Sequence, residues 1–246
     1  MAIKLTIDEG NSSVKVALWR DGVMEDVATH RHATPQLLRG ILPPGEAADC
    51  AIYCSVCGRT ASEVAELTHD IARNVIMLDA YTSMPIAIDY RSRHTLGADR
   101  IAAAAGAVVL APGRPALVVD MGTAITYDVV TADAHFAGGN IAPGIFVRLE
   151  ALDHFTRALP LVETDGDVPR WGYDTSTAMR SGAIRGVVGE LHYYRHCLSA
   201  ECDTDPAIIL TGGSAELILP FITTPIIYEP NLVLIGLNRI LDYNEN

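Results

Sequence analysis

Residues 116–123 read Ala-Leu-Val-Val-Asp-Met-Gly-Thr, and residues 3–11 read Ile-Lys-Leu-Thr-Ile-Asp-Glu-Gly-Asn. Each is a short apolar strand that runs straight into an Asp-x-Gly turn. Each turn is followed by a second β-patterned run, Val14 to Trp19 in one case and Ile125 to Val130 in the other. Asp8 and Asp120 stand 112 residues apart. That period is too long for a solenoid and suits a duplicated α/β domain. The strongest punctuation in the chain, Pro112-Gly113-Arg114-Pro115, falls where the pattern restarts. The expected halves are therefore 1–112 and 113–246.

Working outward, Asp21-Gly22 predicts a hairpin turn, with a third strand over Val23 to Thr29. Helices are expected over Pro35–Ile41, Ser62–Ala72 and Arg100–Leu110, and strands over Ala51–Val56 and Val75–Leu78. In the second half, helices are expected over Ile145–Ala158, Thr177–Cys197 and Leu232–Leu241. The strand Ala207–Leu210 enters Thr211-Gly212-Gly213-Ser214.

The chain has 246 residues, of which 49% are hydrophobic and 20% charged, an ordinary globular profile with ample core. Its net charge of −12 disfavours nucleic acid and anionic membrane as partners, since both are densely negative. The longest apolar stretch, Ile101 to Ala111, falls short of the roughly 18 residues that a membrane span needs. Asp8 and Glu9 interrupt what would have to be a leader's apolar region, so a cytoplasmic protein is expected. Five cysteines occur. The run 50–57, Cys-Ala-Ile-Tyr-Cys-Ser-Val-Cys, reads as a strand carrying buried free thiols rather than as a zinc site.

A glycine at a strand end lets backbone N–H groups approach an anion, which is the use seen for Gly10 and Gly122. Asn11, Ser12, Ser13 and Thr123 can add hydrogen bonds to phosphate oxygens, and Lys15 can neutralise charge. Asp8 and Asp120 suit a cation or loop ordering instead. One such loop alone would fit a plain hairpin; two in matching order point to a nucleotide site. The pair Gly212 and Gly213 either lets a base or sugar lie on the backbone beside a helix N-terminus or forms an ordinary strand-to-helix turn. No Walker A loop is present, and no G-x-G-x-x-G follows a strand. His192 and His196 share a helix face at i, i+4, which fits a surface or dimer-facing helix better than a metal pair.

Taken together, Asp8-x-Gly10-Asn11-Ser12, Gly97-Ala98-Asp99-Arg100, Asp120-x-Gly122-Thr123-Ala124, Gly138-Gly139-x-Ile141-x-Pro143-Gly144, Leu159-Pro160, Asp174-Thr175, Gly182 and Thr211-Gly212-Gly213 resemble, in this order, type III pantothenate kinases of the acetate kinase, sugar kinase, hsp70 and actin superfamily. The resemblance runs from residue 3 to about residue 237. It implies duplicated ribonuclease H-like, actin-like ATPase domains with an interdomain active cleft. It implies phosphorylation of pantothenate to 4′-phosphopantothenate by Mg-ATP, the first step towards coenzyme A.

In that reading Asp99 is the general base, although an Asp at a helix start also fits an N-cap. Arg100 binds the pantothenate carboxylate, with a surface salt bridge as the plainer alternative. Tyr90, Gly97, Ala98 and Thr175 contribute to the substrate pocket, Thr175 from the partner of a homodimer with a shared active site; a helix N-cap is the other reading of Thr175. Asp120 holds a monovalent cation, potassium or ammonium, with Asp8 in support. Asp8, Gly10, Asn11, Ser12, Ser13, Lys15, Gly122, Thr123, Gly212 and Gly213 bind ATP. The helix around Gly186 to Leu198, with Tyr193 and Tyr194, is the candidate interface. Two departures stand out: Ser12 replaces the more usual Thr, and Glu9 adds negative charge beside the first loop. The rivals are another kinase of the superfamily and an ATP-binding regulator.

Overall fold

The computed structural model describes residues 2–245. In chain order it contains β1 (Ile3–Glu9), β2 (Val14–Arg20), β3 (Val23–His30), α1 (Pro35–Gly40), β4 (Ala48–Ser55), α2 (Ala61–Thr68), β5 (Ala72–Met77), β6 (Ala87–Ile88) and α3 (Ala98–Leu110). There follow β7 (Ala116–Met121), β8 (Ala124–Val130), β9 (His135–Pro143), α4 (Ile145–Phe155), α5 (Thr175–Glu201), β10 (Ala207–Thr211), β11 (Ile227–Tyr228) and α6 (Leu232–Glu245). Short 3-10 turns cover Arg93–Thr95, Ala215–Leu217 and Leu219–Phe221.

The chain divides into two units, one of residues 2–112, 134–136 and 231–245, the other of residues 113–133 and 137–230. In the first, the strand order is β3-β2-β1-β4-β5. β1 runs antiparallel to β2 and parallel to β4, and β4 runs parallel to β5. In the second sheet the order β9-β8-β7-β10-β11 repeats it, and the short strand β6 adds a sixth strand parallel to β9 at the edge. β7 is antiparallel to β8 and parallel to β10, and β10 is parallel to β11. This repeated order, hairpin strands first and crossover strands after, is the duplicated ribonuclease H-like topology of actin-like ATPases.

Local chemistry explains the elements. Asp21 and Gly22 both take left-handed φ, 49° and 81°, which closes the β2–β3 hairpin in the sense that strand twist requires. Helix α2 begins in a capping box: the Thr60 hydroxyl accepts the Glu63 N–H at 3.3 Å and the Glu63 carboxylate accepts the Thr60 N–H at 2.7 Å. Strands β1, β2 and β4 bury Leu5, Ile7, Val16 and Tyr53 against α1 and α2. In the second unit Val119, Met121 and Ile125 pack with Ile184, Val187 and Leu191 of α5.

The last helix departs from the expected halves: α6 belongs to the first unit, where it packs on α3 and on β1 and β4. Helices α3 and α6 approach through glycine. A Cβ on Gly236 would lie 2.7 Å from the Ala102 carbonyl carbon and 2.8 Å from the Gly106 nitrogen. The Ala-rich face of α3 thus meets α6 nearly backbone to backbone.

Two more differences follow from local sequence. Strand β9 forms despite Gly138, Gly139 and Pro143, and no strand was expected there; Gly139 is needed because a Cβ would fall 2.9 Å from the Asp128 Cα. After Gly213 the chain makes 3-10 turns instead of the expected helix, and Pro220 is the breaker.

Candidate active site

The first Asp-Gly loop links β1 to β2 in the first unit. Asp8 pairs in register with Lys15, and the turn closes through Gly10 N–H donating to the Ser13 carbonyl at 2.9 Å. Asn11 and Ser12 are exposed at its tip, and Gly10, Ser13 and Lys15 are half-buried. Alternation along β1 puts Glu9 on the face opposite Asp8, and Glu9 is only 7% exposed. Its carboxylate receives Nε and Nη2 of Arg59, both at 2.6 Å, the Tyr53 hydroxyl at 3.0 Å and the Ser55 hydroxyl at 3.1 Å. Burial alone would raise the Glu9 carboxyl, but the bonds from Arg59 and Tyr53 outweigh it and hold it below its ordinary value. The extra charge beside the loop is therefore already answered within the unit.

The β4 cysteines do not form one buried set: Cys54 is buried, Cys50 is half-buried and Cys57 is exposed beyond the strand end. The Cys57 thiol donates to the Gly10 carbonyl at 3.1 Å. Burial, together with the carboxylates of Asp8 and Asp99, pushes the Cys54 thiol well above its ordinary value. Cys54 is the register partner of Asp8, so both acids act at one end of this sheet.

Helix α3 carries the G-x-D-R segment. Its N-cap is Gly97, so Asp99 lies two residues inside the helix and the N-cap reading of Asp99 is corrected. The Asp99 carboxylate accepts the Arg100 N–H at 2.8 Å and folds over Gly97, where a Cβ would collide with Oδ1. Burial raises the Asp99 carboxyl above its ordinary value, against the lowering influence of the Arg100 N–H and charge. Ala98 is half-buried at the first helical position.

Arg100 is 6% exposed, which removes the surface salt bridge as its reading. Its guanidinium lies 5.8 Å from the Tyr90 ring centroid and 5.5 Å from that of Phe136, and the two rings meet edge to face at 5.9 Å. The pairing of Ala87 and Ile88 with His135 and Phe136 brings these rings together. Phe136 was not legible as a site residue, nor was Arg59; neither stands in a spacing that marks it.

In the second unit, Gly122 and Thr123 form a two-residue turn in which Gly122 N–H donates to the Ala124 carbonyl at 3.1 Å. Gly122 and Thr123 are exposed, and Asp120 is half-buried. Gly212, at φ 92°, backs onto the strand end: a Cβ there would lie 2.5 Å from Asp120 Oδ1 and 2.6 Å from the Met121 carbonyl carbon. Ser214 then donates its N–H and hydroxyl to the Met121 carbonyl at 3.0 and 2.8 Å. Gly213 is exposed with open space about its Cα. Gly144 clasps the other side. Its N–H donates to the Thr123 carbonyl at 2.9 Å, and a Cβ would lie 2.5 Å from that oxygen. The second loop thus brings Asp120, Gly122, Thr123 and Gly212 together.

Thr175 opens α5 and is exposed. The N-cap is Asp174, whose carboxylate accepts the Thr177 N–H at 2.8 Å, so the cap reading shifts by one residue and leaves Thr175 outside it. Along 186–198, Val187, Val188, Leu191 and Leu198 are buried within the unit, Tyr194 rests 4.6 Å from the Tyr127 ring, and Tyr193 is 63% exposed. Among the described residues no group of three or more His, Cys, Asp or Glu side chains is placed to hold a metal ion. No helix among them is long and apolar enough to cross a membrane.

A family model described as type III pantothenate kinase matches residues 4–196. The chain belongs to the type III pantothenate kinase family. A type III pantothenate kinase of Porphyromonas gingivalis is 40% identical over 99% of this chain and 100% of its own length. One of Cytophaga hutchinsonii is 35% identical over 98% of this chain and all of its own. Among solved structures, a Campylobacter jejuni protein assigned to the Baf transcriptional activator family superposes with a TM-score of 0.64 at 22% identity, covering 98% of this chain and 99% of that one. A Sinorhizobium meliloti protein described as a 2-dehydro-3-deoxygalactonokinase gives 0.57 at 12% identity, covering 98% and 99%. At these identities the two structures speak for the shared fold alone.

Proposed function

We propose that this chain transfers the γ-phosphoryl group of ATP to the primary hydroxyl of pantothenate, the first step towards coenzyme A, with Asp99 as general base. Membership of the family supports the reaction and makes the chain a transferase. The observation that carries the residue assignment is the half-buried Asp99 carboxylate above Gly97, raised by its surroundings and set next to Arg100. A raised carboxylate is a better proton acceptor. The pantothenate oxygen attacks the γ-phosphorus, the bond to the β–γ bridging oxygen breaks, ADP leaves, and Asp99 takes the hydroxyl proton.

Arg100, steadied by Tyr90 and Phe136, receives the pantothenate carboxylate in a planar fork. Gly97 and Ala98 shape the floor beside it. The loops Gly10–Lys15 and Gly122–Thr123 bind phosphate oxygens, and Gly212 and Gly213 support the adenosine. Asp120 would hold potassium or ammonium, with Asp8 in support; a hard carboxylate oxygen beside a glycine that leaves space for it suits such an ion. That ion and the Mg²⁺ carried by ATP supply neutralisation of the phosphate charge. Thr175, exposed at the start of α5, would reach the pantothenate of a partner subunit.

The test is a coupled ADP-release assay with Mg-ATP and potassium, with and without pantothenate, beside Asp99→Asn. Pantothenate-dependent release that falls by about 10²–10⁴-fold in the variant is expected. The wild-type rate should fall as pH drops through the raised Asp99 value, because protonation removes the base, and the variant should lack that limb. Absence of pantothenate-dependent release overturns the assignment. Mixing Asp99→Asn with Thr175→Ala subunits tests the shared site: activity should recover, and failure to recover argues against it.

A further inference from the structure

Arg148 on α4 and Glu190 on α5 have no part in the reaction as described above, yet they are bonded in a directed way. The Glu190 carboxylate accepts Nη1 and Nη2 of Arg148, each at 2.7 Å, and the Tyr127 hydroxyl at 2.8 Å. This bidentate fork fixes the plane of the guanidinium. The third nitrogen, Arg148 Nε, donates to the Pro143 carbonyl at 2.8 Å. The nitrogen of that same peptide is Gly144 N–H, which donates to the Thr123 carbonyl at 2.9 Å.

The C=O and N–H of one trans peptide point in opposite directions and are rigidly coupled. The Pro143–Gly144 plane is therefore held on one side by Arg148 and grips the Thr123 carbonyl on the other. Gly144 can sit there only because it lacks a Cβ. Each link polarises the next, so a charged guanidinium at one end strengthens the grip at the other. All of these residues belong to one unit.

We propose that Arg148 and Glu190 are positioning residues for the second phosphate loop: through the Pro143–Gly144 peptide they fix the Thr123 carbonyl and so aim the Thr123 hydroxyl at the nucleotide. The proposal rests on the reading of Thr123 as an ATP contact. Neither residue touches substrate. A misplacement of about 1 Å caused by a change far from the chemistry can cost about a hundredfold in rate.

The test compares Arg148→Met, Arg148→Lys and Tyr127→Phe with wild type. Arg148→Met should raise the KM for ATP by at least about tenfold and leave the KM for pantothenate within about twofold. Arg148→Lys should resemble it, since an ammonium cannot hold the fork and the Nε bond at once. Tyr127→Phe, which keeps Arg148 on Pro143, should stay near wild type in KM for ATP. Affinity for a non-hydrolysable ATP analogue, measured by calorimetry well below each variant's Tm, gives the readout that mere destabilisation would not move. Unchanged analogue affinity in both Arg148 variants overturns the proposal, as does an equal rise in both KM values. If Arg148→Met does not fold, Arg148→Lys and Glu190→Gln carry the comparison, and unchanged affinity in these overturns it. Wild type that binds the analogue, with affinity lost in the variants but no pantothenate-dependent ADP release, would sustain the positioning role and sink the kinase reading instead.

Discussion

The two Asp-Gly loops occupy equivalent places in sheets of the same strand order, but they are built to different tolerances. The first is a four-residue turn, Gly10 to Ser13, tied by its own bond to Ser13. A Cβ on Gly10 would meet only the Ser13 carbonyl, at 3.5 Å. Its support lies on the far face of β1, where Glu9, Arg59, Tyr53 and Ser55 anchor the strand end. The second loop is a two-residue turn gripped from outside by Gly144 and Gly212, with backbone against backbone. One loop is held by its strand and the other by its neighbours. Duplication fixed the strand order, while the means of holding each turn diverged.

The sharpest way to break this contrast is to add a methyl group on the gripped side. Gly144→Ala and Gly212→Ala should each lower kcat/KM for ATP by about a hundredfold or more and cost about 1–3 kcal/mol of stability, measured by steady-state kinetics and urea unfolding. Gly212 suffers twice, since its φ of 92° also disfavours a side chain. Near-normal ATP kinetics in both variants would show that the grip is incidental.

Next in size is Arg59→Ala, which strands the buried Glu9 carboxylate. With Arg59 partly open to solvent, a loss of about 2–3 kcal/mol is expected in urea unfolding. The Glu9 carboxyl is depressed in the folded state, so its contribution is fully present above the ordinary carboxylate value, roughly pH 4, and is lost as pH falls through the depressed value. The variant should lack that acid loss, and its stability deficit should shrink below pH 4. An equal deficit at every pH would show that lost packing, not charge, is responsible.

The smallest effect belongs to Gly10→Ala. Its backbone is not in the left-handed region and space is available, so KM for ATP should change by no more than about threefold. A loss matching that of Gly144→Ala would mean that the first loop also receives its ligand at backbone distance.

Much of this was legible in the sequence. Both loops, the hairpin at Asp21-Gly22 and strands β1, β2, β7 and β10 are local patterns in which apolar alternation and turn chemistry agree. What was hidden depends on partners far along the chain. Strand β9 was not expected because Gly138, Gly139 and Pro143 are poor strand formers, and the close approach of Asp128 explains Gly139. Phe136 declares itself only through the pairing with β6 that sets it on Arg100. Arg59 declares itself only through an acid 50 residues away. The Pro143-Gly144 motif was visible as letters, but its peptide plane and the Arg148 bond are tertiary facts. The absent helix after Gly213 was partly readable, since Pro220 forbids a long one.

The seating of α6 on α3 has a consequence for the order of synthesis. The first unit holds residues 2–112 and also α6, whose Gly236 nests against Ala102 and Gly106. As the polypeptide emerges from the ribosome, the Ala-rich face of α3 stays bare while the whole second unit is made. That second unit is continuous in its main span, 137–230, and has what it needs to pack earlier. Residues 2–112 are thus completed only once α6 has been made, and a nascent chain stalled before residue 231 would expose the core of the unit that carries Asp99.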